Sequence, residues 1–276
     1  MIISTLMWTL VAGQLQPLPP SLISLDSEEG QTLLVESKAN RDYFALSSRF
    51  LTQRSTSYCG VASAVMVLNA MPVAAPEVKE WKPFRAFTED NVFNDEARKG
   101  ATPEAVSRGG LTIDQLAHLL GANGVAARPV FASASSVEEF RREAAANLAR
   151  PDDYVIADFW RGDIGQDVGA HWSPVAAYHE GTDRFLVLDV ARFRYPPYWA
   201  RADDLFKAMN TSDLDSGKSR GYVLVAAAAT STGRVPVPPV GGRLLRVAIA
   251  AGLGVFALGA LSGSLLTRWR LRRVRS

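Results

Sequence analysis

Twelve consecutive residues, Cys59–Ala70, carry no charge, and the first of them is the only cysteine in the chain. The run is too long for a strand and apolar throughout, so it reads as a helix buried on every side. Such a helix needs partners around its whole circumference. The chain must therefore fold around it, and 276 residues are enough for one large domain or two small ones. A hydrophobic share of 47% with 21% charged residues belongs to a folded protein and excludes a disordered one. A single cysteine also excludes a disulfide framework and a cysteine-built zinc or iron–sulfur centre. With three histidines, His118, His171 and His179, a multi-histidine metal site would use nearly all of them, and no metal ligands are assigned.

The net charge of +2 conceals an asymmetry. Residues 243–276 hold seven arginines and no acid, leaving 23 basic against 28 acidic residues, a net of −5, in the rest. A mildly acidic body offers no basic face for a nucleic acid. Within that last segment, Val247–Leu266 is twenty residues without a charge. At 1.5 Å per residue it spans about 30 Å, the thickness of a bilayer core. Two arginines precede it and five follow. The positive-inside rule then puts the C-terminus in the cytoplasm and the body outside.

Met1–Ala12 is apolar, and Val11–Gly13 has the small residues of a cleavage site, although no Lys or Arg precedes Lys38. The expected division is a signal peptide and leader over 1–25 and a folded domain over 27–230. A Pro/Gly linker over 231–243, a transmembrane helix over 244–267 and a basic tail over 268–276 complete it. The linker, Val235–Gly242, is stiff at its prolines and flexible at its glycines.

Within the body, Thr112–Leu120 reads as a helix capped by Thr112, with Leu116, Leu119 and Leu120 on one face. Ser136 with Glu139 forms a capping-box pattern opening a helix to about Ala149, and Arg201–Met209 reads as another. Ala126–Val130, Tyr154–Phe159, His171–Tyr178, Arg184–Asp189 and Tyr222–Ala227 read as strands. An early helix followed by a run of strands indicates an α+β fold whose sheet comes from the second half of the chain.

Cys59 opens the buried helix, where backbone N–H groups and the helix dipole favour thiolate over thiol. A buried structural cysteine is the alternative. His171 starts one strand and Asp189 ends the next. A turn near Glu180–Asp183 would bring the two together. The order Cys, His, Asp is that of papain-like enzymes, in which the third residue orients the imidazole. Histidine there takes the thiol proton and returns it to the leaving amine. Gln53, six residues before Cys59, carries an amide suited to an oxyanion hole alongside the Cys59 backbone N–H. His118 and His179 read as structural.

These residues sit in longer strings: Tyr58–Ser63 running into Val65–Asn69, Phe87–Phe93, Gly110–Leu116, His171–Tyr178, Leu188–Trp199, Ala208–Asn210 and Lys218–Tyr222. Together they resemble the catalytic domain of phytochelatin synthase, most closely its short bacterial form, over roughly residues 27–228. The resemblance implies a papain-like fold and a triad of Cys59, His171 and Asp189, with Gln53 in the oxyanion hole. It implies glutathione as acyl donor. Cys59 attacks the carbonyl between its cysteine and glycine, glycine leaves, and the γ-glutamylcysteinyl group passes to water or to a second glutathione.

Arg220 suits the γ-glutamyl carboxylate and Asp213 its ammonium; matching positions serve the family in this way. Arg192, Arg194 and Tyr195 are candidates for the second glutathione. Ala170, before His171, stands where the family usually has glycine. No cofactor is needed for acylation. The cysteine-rich C-terminal region of plant members is replaced here by the charge-free stretch. Metal dependence is therefore expected through a Cd– or Zn–glutathione thiolate complex as substrate. Short bacterial members are implied to favour hydrolysis, and with the topology read from the C-terminal stretch the expected location is a bacterial inner membrane, the domain periplasmic and the C-terminus cytoplasmic. The sequence leaves oligomeric state open, a homodimer included. The rival readings are a double-glycine leader peptidase, which shares the Gln–Cys spacing, and a membrane-tethered binding domain without catalysis.

Overall fold

The computed structural model describes residues 15–228. Along the chain run β1 (Ile23–Ser24), α1 (Glu28–Glu36), α2 (Arg41–Ser47), α3 (Cys59–Ala70), α4 (Ala97–Gly100), α5 (Pro103–Gly109) and α6 (Ile113–Ala122). There follow β2 (Val125–Phe131), α7 (Val137–Leu148), β3 (Asp153–Trp160), β4 (Ala170–His179), β5 (Arg184–Val187) and β6 (Tyr198–Arg201). Last come α8 (Ala202–Met209), β7 (Ser212–Asp213), β8 (Lys218–Ser219) and β9 (Gly221–Ala227). Seven strands form one antiparallel sheet in the order β1-β6-β5-β4-β3-β9-β2, and β7 with β8 makes a separate hairpin. The fold is α+β, with helices on both faces of the sheet.

Strand β3 shows how the layers divide. Tyr154 and Ile156 join the core that contains α3 and α6, while Val155, Ala157 and Phe159 join the core under α7 and α8. This is the period-two alternation of a strand buried on both faces. Along β4 the alternation breaks at a register shift between Val175 and Ala177. The bulge turns Ala176 and Ala177 both toward α3. Small side chains there let the helix approach the sheet. Gly60 is under the same constraint, since a Cβ on it would lie 3.2 Å from the Trp172 ring and 3.3 Å from Leu111.

Helix α3 is the twelve-residue helix the apolar run demands, and its residues from Cys59 to Leu68 are all buried. Thr112 caps α6 in a full capping box with Gln115. Ser136 caps α7 through the Glu139 N–H, but the reciprocal half of the expected box is missing, because the Glu139 carboxylate accepts from Ser135 instead. The strand expected over Arg184–Asp189 stops at Val187, which frees the Asp189 backbone from the ladder. Arg201 belongs to β6 and precedes α8. The sheet also recruits β1 and β2 from the first half of the chain.

Leu22 is in the core, and Ile23 and Ser24 pair with Trp199 and Tyr198. The expected leader boundary at residue 25 therefore falls inside the folded domain. Residues 1–14 and 229–276 lie outside the described residues, and with them the cleavage site, the linker, the transmembrane stretch and the basic tail. Among the described residues no helix is long and apolar enough to cross a membrane.

Candidate active site

Cys59 is the first residue of α3 and is buried. The backbone N–H groups of Trp172, on β4, and of Gly60, in its own helix, favour the thiolate. Burial nevertheless pushes the thiol up to about 11; the two N–H groups and Arg161 oppose this, and Asp158 adds to it. The helix N-terminus favours thiolate, as the sequence implies, while desolvation by the packed core works against it and favours the thiol.

The β4–β5 hairpin turns through a short 3-10 segment at Glu180–Thr182, with Asp183 in the left-handed conformation at φ 51°. The hairpin brings His171 and Asp189 together. His171 Nε2 lies 2.9 Å from Asp189 Oδ1 and 2.9 Å from Ser173 Oγ, and Ser173 Oγ accepts the Val190 N–H. Both partners engage Nε2, which leaves Nδ1 as the nitrogen available for a thiol or substrate. The Phe159 ring sets the imidazole edge-on at 5.6 Å between centroids.

Burial lowers the His171 pKa, with Arg161 and Arg194 pushing the same way and Asp189 opposing. For Asp189, burial alone would raise the pKa, but His171 and Arg161 hold it well below the ordinary carboxylate range. The pair rests as carboxylate and neutral imidazole, so the imidazole is ready to accept a proton.

Arg161, which the sequence did not single out, is the hidden member of this cluster. Its guanidinium is 2% exposed, and Nη2 lies 2.8 Å from each Asp189 oxygen. Nη1 donates to Gln166 Oε1, and the group lies over the Tyr195 ring at 5.2 Å. It neutralises a carboxylate that is fully buried.

Gln53 is buried, its backbone N–H bonded to Val190 O at 3.0 Å. One side-chain N–H donates to Ser55 O at 2.6 Å, while Oε1 is buried without a partner. Gln53 lines a small cavity together with His171, Ala170, Arg161 and Arg194.

A larger cavity of about 610 Å³ opens beside it, lined by Cys59, Asp158, Trp160, Ala170, Trp172, Asp213 and Arg220 among others. Ala170 belongs to both cavities and joins them. Arg220 is buried, held by Thr211 Oγ1 at 3.2 Å and by Ser212 O, with its guanidinium 5.3 Å from the Trp160 ring. Asp213 lies on the same wall, partly exposed.

The structure does not gather the three residues expected for a second substrate. Arg194 lines the small cavity. Arg192 stacks on Phe50 at 4.6 Å. Tyr195 is 2% exposed and accepts the Asp167 N–H at 3.0 Å, so it buttresses Arg161. His118 bonds Glu96 O at 2.9 Å and His179 bonds Thr182 Oγ1 at 2.9 Å, both away from these cavities. Among the described residues no group of His, Cys, Asp or Glu could hold a metal ion.

A buried thiol at the head of a helix, an imidazole fixed by a carboxylate and an adjoining pocket with a fixed guanidinium are an arrangement that can support acyl transfer through a cysteine nucleophile. The comparisons narrow the class to one family. A family model described as phytochelatin synthase matches residues 14–222, and the chain belongs to that family.

Relatives named glutathione gamma-glutamylcysteinyltransferase 1 come from Lotus japonicus, 36% identical over 77% of this chain, and from Arabidopsis thaliana, 34% identical over 76%. A glutathione gamma-glutamylcysteinyltransferase of Schizosaccharomyces pombe is 28% identical over 75% of the chain. The match covers 42%, 42% and 50% of those relatives, so the chain spans half their length or less.

Asp158 and Arg161 escaped the sequence reading, although each left a trace. Asp158 is the lone acid inside the apolar run Tyr154–Trp160, and Arg161 follows it directly. A charge embedded in a buried strand is a signal, because burial without a partner or a ligand is costly.

Proposed function

We propose that the chain is a glutathione γ-glutamylcysteinyl acyltransferase and hydrolase on a papain-like version of the α+β fold. The observation that carries this reading is that Cys59 shares one cavity with Arg220, Asp213 and Asp158. A thiol nucleophile faces groups that complement both charges of an α-amino acid. The relatives' names supply the substrate class.

In this reading the γ-glutamyl end of glutathione enters the larger cavity and the Cys–Gly carbonyl lies against Cys59. His171 takes the thiol proton on Nδ1 as sulfur bonds to the carbonyl carbon. The oxyanion draws on the Cys59 N–H and the Gln53 amide. Collapse expels glycine, protonated by the imidazolium, and leaves a thioester. Asp189 stabilises the imidazolium while it exists.

Water or a second glutathione then takes the acyl group. Hydrolysis is the dominant outcome on this reading, supported by the dispersal of Arg192, Arg194 and Tyr195. Cadmium or zinc would enter as a glutathione thiolate complex, that is, as substrate. Val247–Leu266 would tether the domain to a membrane with the catalytic part periplasmic. A reporter fused after Ser276 that is active only outside the membrane would overturn this topology.

The test is mass spectrometry of products from glutathione, with and without cadmium, for the parent and Cys59→Ala. Glycine and γ-glutamylcysteine from the parent alone are expected. Longer oligomers would make transfer dominant. Intact glutathione under both conditions would sink the assignment and bring forward a leader-peptide substrate or a binding role.

A further inference from the structure

Asp189 is crowded at one oxygen and bare at the other. Its Oδ1 takes His171 Nε2 at 2.9 Å, Arg161 Nη2 at 2.8 Å and the Ala191 backbone N–H at 2.9 Å. Its Oδ2 stands 2.8 Å from the same Arg161 nitrogen, yet no hydrogen bond reaches it. The side chain is fully buried, so bulk solvent does not supply a donor. A buried polar atom without a partner is rare and calls for a cause. Two buried donors nearby are equally idle. Tyr198, on β6 opposite Val187, is 0% exposed, and its hydroxyl has no partner. Gln166 is 6% exposed; Arg161 Nη1 occupies its Oε1, and its Nε2 is left without a partner. The Tyr198 hydroxyl is acted on by Asp189, Arg161, the Gln166 amide and Tyr195. An amide donor, a hydroxyl and a carboxylate acceptor thus gather, unpaired, around one guanidinium. Neither Tyr198 nor Gln166 lines either cavity, so substrate does not complete them.

We propose that Tyr198 is a positioning residue for Asp189: with the Gln166 amide it binds one buried water, which donates to Asp189 Oδ2 and fixes the plane of the carboxylate. A buried water makes about three hydrogen bonds to otherwise unsatisfied polar groups. Here Gln166 Nε2 and the Tyr198 hydroxyl donate to the water, and the water donates to Oδ2, so all three atoms are satisfied together. With both oxygens held, the carboxylate does not turn about its Cβ–Cγ bond, and Oδ1 stays on His171 Nε2. The imidazole then keeps Nδ1 free for the thiol. The inference rests on the cysteine–histidine chemistry and does not depend on glutathione as the substrate.

The charged and titratable groups around the Asp189–His171 pair are Arg161 after β3, Arg194 and Tyr195 in the loop before β6, Tyr198 on β6 and the Cys59 thiol on α3. A donor at Oδ2 draws off part of the carboxylate's charge. Removing it leaves more of that charge to hold a proton on His171, so the imidazolium becomes easier to form.

The experiment is Tyr198→Phe in the full chain, which keeps the ring and removes only the hydroxyl. The urea midpoint should fall; loss of an idle buried hydroxyl would raise it instead. The kcat for glycine release from glutathione should drop about threefold to tenfold, the worth of one hydrogen bond, with KM unchanged. The acid limb of the kcat profile should move to higher pH by roughly half a unit. Carbon-13 NMR of the histidine-labelled chain, with His171 assigned through His171→Gln, should show the same displacement of its titration without any substrate.

A raised urea midpoint would show the hydroxyl to be without a partner and overturn the proposal. A lowered midpoint with His171 titrating as in the parent would mark a merely structural role and overturn it too. So would a change confined to KM, which would make Tyr198 a substrate contact. A parent that releases no glycine sinks the glutathione reading alone, and the His171 titration then decides the part of Tyr198.

Discussion

Arg161 Nη2 lies 2.8 Å from both carboxylate oxygens of Asp189, in a pair whose side chains are 2% and 0% exposed. The pair fixes the acid that fixes the histidine. Breaking a buried pair by removing one partner strands the other charge and costs about 3–5 kcal/mol. Arg161→Met should therefore lower stability by roughly that amount in denaturant unfolding. Loss of the guanidinium also removes a charge that depresses His171. The acid limb of the activity profile should move to higher pH, a change that destabilisation alone does not produce. An unshifted limb would confine Arg161 to a structural part.

The buried Cys59 thiol, with its pKa pushed up to about 11, makes a chemical prediction. Without substrate, alkylation by iodoacetamide should be slow at pH 7 and rise about tenfold per pH unit toward pH 10, following the thiolate fraction. A resting thiolate–imidazolium pair would instead give a rate that is already high and flat across neutral pH. Mass spectrometry of the singly alkylated chain separates the two, and no other cysteine contributes.

Gln53 offers one side-chain N–H to Ser55 O and keeps a second for a ligand. As an oxyanion donor its loss in Gln53→Ala should lower kcat by about 10²–10³-fold with a smaller change in KM. The companion Gln53→Glu keeps the shape and loses the donor, so it should be as impaired. Equal KM and kcat effects in steady-state glycine release would show that the amide positions substrate and does not stabilise the transition state.

Local physics made much of this legible. The charge-free run could only be a buried helix, and α3 is one. The turn between two apolar strands could only bring His171 toward Asp189, and the hairpin does so. The geometric placement of Arg161, Asp158 and Tyr195 was not readable, because it depends on which strands become neighbours. Asp158 opposes Trp172 only because β3 lies between β4 and β9. Tyr195 turns inward because Arg161 needs a face to rest on, and the sequence pattern alone placed it with its neighbours in a substrate loop. The environment of the Cys59 thiol was legible only in part for a similar reason. The helix position is visible in sequence, whereas the desolvation that outweighs it comes from β4 packing over α3.

Asp42, on α2, carries the last prediction. It is 2% exposed, its Oδ2 has no partner, and burial pushes its pKa up to about 9, with Asp153 and Asp152 adding to the effect. A folded pKa above the unfolded value means that the protonated acid is the form the fold accommodates. Its contribution is therefore fully present below the unfolded pKa of about 3.9 and is lost as pH rises toward 9. Asp42→Asn keeps the shape of the protonated acid at every pH. It should stabilise the protein at pH 8 by on the order of 1–3 kcal/mol and change it little near pH 4. Urea unfolding of parent and variant at the two pH values checks this. A variant whose advantage is the same at both would show that packing, and not charge burial, limits stability at that position.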